Sequence, residues 1–136
     1  MKFDTKIAIA VQGYLAAWQK LNVTAFLASA VAGGAPESIG EPYADGSGHA
    51  YLAMLRQPVL VYAADAAALG RVRTLAVGRG LATAVYIEEM FKTGHDEANR
   101  AAVAAVAADD LTLVGLAVYG PRNAVDKVMK GLPLHP

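Results

Sequence analysis

The chain has 136 residues, 55% of them hydrophobic and 18% charged, which suits one folded domain spanning 1–136 and excludes a disordered chain. Twelve basic and twelve acidic side chains cancel, which counts against a nucleic-acid partner held through many phosphates. With no cysteine there are no disulfides, thiol nucleophiles or thiolate metal sites, a composition that fits a reducing cytoplasm.

Lys6–Val11 (Lys-Ile-Ala-Ile-Ala-Val) is apolar on both faces and reads as a central strand with helices on each side. A helix over Trp18–Ala32 follows the loop at Gly13. Its residues Val23, Phe26, Leu27, Ala30 and Val31 follow the i, i+3, i+4, i+7, i+8 spacing of one apolar stripe. Asn22 and Ser29, seven apart, form a polar line beside that stripe, a position that suits either a solvent face or the wall of a cleft. Met1–Ala30 has the outline of a cleavable signal, with Lys2 and Lys6 near its start and Ala-Ser-Ala at its end. Asp4, Gln12, Gln19, Lys20 and Asn22 interrupt its apolar run, so it is expected to be structural. No window reaches the ~18 consecutive apolar residues of a membrane span, so a soluble, cytoplasmic protein is expected.

Residues 33–50 are dense in Gly, Pro, Ser and Asp. Within them, Glu41-Pro42-Tyr43 and Ala50-Tyr51-Leu52 read as two short strands joined at Asp45-Gly46-Ser47-Gly48. Asp45 suits a turn residue bonded to its own backbone, and Tyr43, Asp45 and His49 are the loop's side chains with chemistry to offer. Val59–Ala63 is a second buried strand. Asp65 is placed to cap a helix running to about Arg79, with Leu69, Val72 and Ala76 inward and Gly80 as its left-handed stop. Arg71, Arg73 and Arg79 read as a solvated face of that helix. Leu81–Ile87 is a third strand, and the alternation of strands and helices favours a sheet with mostly parallel neighbours.

Glu88–Arg100 is the densest polar run, at a strand-to-helix junction where open α/β sheets often hold their sites. Thr93 and Asp96 match a helix-capping pattern, and Asp96 with Arg100 matches an i,i+4 ion pair. Only one of Glu88 and Glu89 can face a cleft if both extend the strand. Neither a second spaced histidine for a metal site at His95 nor a nucleophile elbow around Ser29 is present, so no metal or cofactor is expected. No glycine-rich nucleotide fingerprint occurs either. The alanine-rich helix after Thr93 runs to about Ala107. Leu111–Tyr119 is a fourth strand with Gly115 at a bulge or close approach. Gly120-Pro121 opens a last helix that Gly131 stops, and Leu132-Pro133-Leu134 reads as a short extended edge.

The first strand, Trp18–Ala28, Gly40-Glu41-Pro42-Tyr43-Ala44-Asp45 and Thr93-Gly94-His95-Asp96-Glu97-Ala98-Asn99-Arg100 together resemble a bacterial family of unknown function, one similar in fold to the type II peptidyl-tRNA hydrolases. The likeness to the hydrolases rests on element order, on Ala28-Ser29-Ala30-Val31 and on Val125-Asp126-Lys127-Val128. It implies a three-layer α/β domain with a mixed, about four-stranded sheet flanked by helices. Aligned on those enzymes, Asn22 falls at their lysine, Phe26 at a glutamine and Ser29 at a histidine. Their Asp-Ala-Gly-x-Thr segment falls on Glu89-Met90-Phe91-Lys92-Thr93. An amide at Asn22 cannot supply the cation that steadies a phosphate or oxyanion, and Phe26 makes the cleft more apolar. The expectation is a cleft where the start of the long helix meets the end of the third strand. Asn22, Glu89, Thr93 and His95 are its central candidates, with Ser29, Tyr43 and Asp45 as further ligand contacts. The occupant would be a small molecule or peptide end. Hydrolysis of peptidyl-tRNA is the rival activity, and a homodimer using alanine-rich faces and Leu132–Pro136 is a third reading.

Overall fold

The computed structural model describes residues 2–136. Strand β1 (Thr5–Gln12) leads into helix α1 (Ala17–Gly34), and a hairpin follows, built from β2 (Tyr43–Ala44) and β3 (Ala50–Tyr51). Next come β4 (Val59–Ala64), α2 (Ala66–Gly78) and β5 (Ala82–Ile87). A 3-10 turn over Glu88–Lys92, helix α3 (Asp96–Ala104), β6 (Leu113–Pro121) and α4 (Arg122–Met129) complete the chain. Four strands form one mixed sheet in the order β4-β1-β6-β5. Its two faces hold separate cores. Val23, Leu27 and Val31 of α1 pack with Ile7, Ile9 and Ala117 on one side. Leu69, Val72 and Ala76 of α2 and Val125 and Val128 of α4 pack with Leu116 and Val118 on the other. That is the expected three-layer α/β arrangement, with four helices about a four-stranded sheet.

Among the described residues, β1 and β4 are the one parallel pair of neighbours; β6 runs antiparallel to both β1 and β5. The expectation of mostly parallel pairing fails at α3. A parallel return needs a crossover packed on a sheet face, but α3 buries none of its residues. The chain therefore folds back beside β5, and β6 slots between β5 and β1. Other local expectations are met. Asp65 caps α2 by accepting from the Ala68 N–H at 2.8 Å. Gly80 and Gly131 take φ of +71° and +90°. The tail pairs with β4, with Ala63 N donating to Pro133 O and His135 N to Val61 O.

The helix-capping expectation at Thr93 is corrected. His95 is the N-cap, its Nδ1 accepting from Ala98 N at 3.2 Å, and α3 ends at Ala104 rather than near Ala107. Pro121 closes β6 and precedes α4 rather than lying in its first turn.

Gly115 sets the distance of α1 from the sheet. A Cβ there would lie 2.5 Å from Val23 Cγ1, 3.1 Å from Leu27 Cδ1 and 3.3 Å from the Ala10 carbonyl oxygen. The register between β5 and β6 also slips at this point, with Tyr86 opposite Gly115 and Ile87 opposite Leu113. Gly115→Ala is expected to cost about 1–3 kcal/mol through overpacking, read from urea unfolding. Pairing it with Val23→Ala should recover part of that loss. A Gly115→Ala protein as stable as the parent would contradict the packing described.

Candidate functional site

A groove of about 970 Å³ opens between α1, β5 and the segment from Met90 through α3. Its apolar wall is a chain of aromatic rings. Trp18 meets Phe91 edge-on at 6.0 Å, Phe91 meets Tyr86 at 5.2 Å, and Tyr86 meets Phe26 edge-on at 5.8 Å. Pairs in such geometry add about 0.5–1.5 kcal/mol each beyond the area they bury. The two α1 rings are nevertheless open to solvent, Trp18 at 62% and Phe26 at 47%. Phe26 and Ala30 were expected on the buried stripe. They face the groove instead, and only Val23, Leu27 and Val31 reach the core.

Polar groups sit at defined points on this wall. Asn22 Nδ2 donates to the Tyr86 hydroxyl at 3.4 Å. The Tyr86 ring is buried, which pushes its phenol above the ordinary tyrosine pKa, and the bond from Asn22 offsets part of that. Thr93 donates to the Met90 carbonyl oxygen at 2.9 Å and pairs with the Asn99 side-chain amide. Ser29 lines the groove, but its hydroxyl donates back to Phe26 O at 2.6 Å. His95 lines it as well, with Nδ1 engaged in capping α3. Asp96 and Arg100 form the expected ion pair at the rim, so the charges there cancel within the wall.

Asn22, Ser29, Thr93 and His95 are thus brought together, and Glu89, Tyr43 and Asp45 are not among the residues around the groove. Glu89 lies in the 3-10 turn and accepts from the Thr112 hydroxyl at 3.1 Å, outside the cavity. Asp45 organises the β2–β3 hairpin. Its carboxylate accepts from Ser47 N at 2.9 Å, from His49 N at 3.0 Å and from the Tyr51 hydroxyl at 2.7 Å. The Tyr51 bond, followed by the one from His49 N, holds the Asp45 pKa below the usual carboxylate value. Tyr43 is exposed opposite Tyr51 in the same hairpin. Trp18, Tyr86, Phe91 and Asn99 are among the groove residues that sequence reasoning did not select. The i, i+4, i+8 line Trp18, Asn22, Phe26 was the signal available for the α1 wall. Among the described residues, no group of three or more His, Asp and Glu side chains is placed to hold a metal ion. No helix among them is long and apolar enough to cross a membrane.

Residues 5–136 match the profile of a family described as protein of unknown function (DUF2000). The chain belongs to this family. It is also similar to the solved structure of a protein of unknown function from Agrobacterium tumefaciens strain C58. The two share 47% identity and a TM-score of 0.95 over 99% of this chain and 100% of that one. No curated protein matches the chain.

The buried phenol of Tyr86 gives a pH signature. Its pKa is raised in the folded state, so the unfolded chain loses this proton first. Stability from this group is intact below about pH 10 and falls as pH rises through the folded-state pKa. Tyr51, raised by its bond to Asp45, carries the same sign. Tyr86→Phe is expected to flatten the alkaline decline of the urea midpoint while leaving the Tyr51 part. An unchanged slope would show that Tyr86 is not the buried phenol described here.

Proposed function

We propose that the groove binds a small aromatic or apolar ligand, or the end of a peptide, without hydrolysing it. The observation that carries this reading is the run of four touching aromatic rings, two of them left open on α1 beside the Asn22 amide. Apolar walls with a few placed polar groups are the usual make-up of ligand sites. Balanced charge at the rim favours a neutral or amide-bearing ligand over a polyanion. The fold likeness to the type II peptidyl-tRNA hydrolases belongs to this proposal, supported by the four-stranded mixed sheet with helices on both faces. The chemistry of those enzymes is less well supported. Asn22 stands at their lysine, Glu89 bonds Thr112 outside the groove, and Ser29 donates to its own helix. A cytoplasmic setting belongs with this reading too, supported by the cysteine-free sequence.

Trp18 is the chain's only tryptophan and lines the groove, so its fluorescence reports occupancy. Titration with N-acetylphenylalanine amide is expected to give a saturable change. Phe26→Ala should weaken binding by about tenfold or more, and Asn22→Ala by up to about tenfold. Glu89→Gln should leave affinity unchanged. Unsaturable quenching, or affinity indifferent to both Phe26→Ala and Asn22→Ala, would remove the site assignment. Turnover of peptidyl-tRNA that disappears with Thr93→Ala would replace binding with hydrolysis.

A further inference from the structure

The sheet treats its two edges differently. At β4 the chain covers its own edge. Tyr62 bridges Leu134, and backbone bonds join Ala63 to Pro133 and Val61 to His135. At β5 no strand among the described residues covers the edge, and the groove runs along it, with Ala84, Val85 and Tyr86 in its lining. A second cavity of about 260 Å³ lies between α1 and the face of β5 and β6, over Ala82, Ala84, Ala117 and Tyr119, and shares Ala30 and Ala84 with the first.

The backbone of β5 alternates between its neighbour and the open side. Glu88 N donates towards β6, to Thr112 O at 2.9 Å, whereas Ile87 N turns the other way to Met90 Sδ at 3.5 Å. By that alternation the N–H and C=O groups of Val85 and Thr83 face outward. Neither residue donates or accepts a backbone bond outside the sheet among the described residues. Unpaired groups of this kind are a template for another strand.

We propose that the occupant of the groove is an extended peptide that adds to β5 as a fifth strand, with an aromatic or large apolar side chain seated among Trp18, Phe26, Tyr86 and Phe91. This deepens the binding reading given above and rests on it. Main-chain bonds to Thr83 and Val85 supply affinity, and alternate side chains of the added strand fall on the α1 side of the sheet, where the aromatic wall lies. The small side chains of Ala30, Ala82 and Ala84 leave space on the α1 face of β5 for a side chain of the added strand.

The test uses a capped five-residue peptide of alternating alanine and phenylalanine, its N-methylated variants, and N-acetylphenylalanine amide as the ring alone. N-methylation at amides facing β5 should weaken binding by about tenfold or more, with little effect at the intervening amides. Hydrogen exchange should slow at the amides of Thr83 and Val85 when the peptide binds, and stay unchanged at Ala84. Thr83→Pro, which removes an outward N–H and is tolerated on an edge strand, should weaken the peptide but not the ring alone. Binding of the ring with no effect of N-methylation and no new protection overturns strand addition and leaves the groove reading in place. Failure of both probes to bind removes the two together. Sedimentation showing a dimer that Thr83→Pro dissociates assigns the edge to a second copy of the chain and overturns the peptide.

Discussion

The missing side chain at Gly115 governs this molecule. It lets Val23 and Leu27 of α1 settle against the centre of the sheet at a separation that a Cβ would force to widen or repack. Fixing those two residues fixes the rotation of the helix. Val23, Leu27 and Val31 then face the core, and the adjacent line Trp18, Asn22, Phe26 and Ser29 overhangs β5. Tyr86 lies opposite Gly115 and, two residues on from Ala84, turns its ring to the α1 side by strand alternation, where Asn22 and Phe26 meet it. One backbone contact therefore positions most of the groove's apolar wall.

The opposite wall depends on α3, which rests on the Glu88–Lys92 turn and buries none of its residues. Its charges answer one another through Asp96 and Arg100, and its N-terminal end is closed by His95. Thr93 ties Met90 to Asn99 and so joins the 3-10 turn to the helix. What remains for a ligand is aromatic surface, side-chain amides and the open edge of β5. That inventory recognises rings and peptide groups better than it activates water or steadies an anion, because its polar groups are neutral or already paired.

Much of the architecture was legible in the sequence because it rests on local signals. Uninterrupted apolar runs marked the strands, Asp65 marked a cap, Gly80 and Gly131 marked left-handed stops, and Asp45-Gly46-Ser47-Gly48 marked the hairpin turn. Gly115 was legible as a close approach, though not the partner that approaches. Sheet order was hidden, because it turns on whether α3 crosses a face, and the alanine-rich sequence after Thr93 does not say that this helix stays off the core. The site was legible in part. Asn22, Ser29, Thr93 and His95 converge, since helix spacing and the strand-to-helix junction are local features. Glu89 escaped because a 3-10 turn replaces the strand pitch from which its direction was read. Phe26 was assigned to the core because periodicity identifies an apolar stripe without showing how far the sheet beneath it extends, and among the described residues no strand lies beyond β5 to cover it.

The central claim is that a ring occupies the space between α1 and the segment leaving β5. Crystals grown with excess N-acetylphenylalanine amide test it most directly. The account predicts density for the phenyl ring among Trp18, Phe26 and Phe91, with the ligand amide within hydrogen-bond reach of Asn22 or the β5 edge. A fully occupied ligand elsewhere on the surface, with the groove holding only solvent, would contradict it.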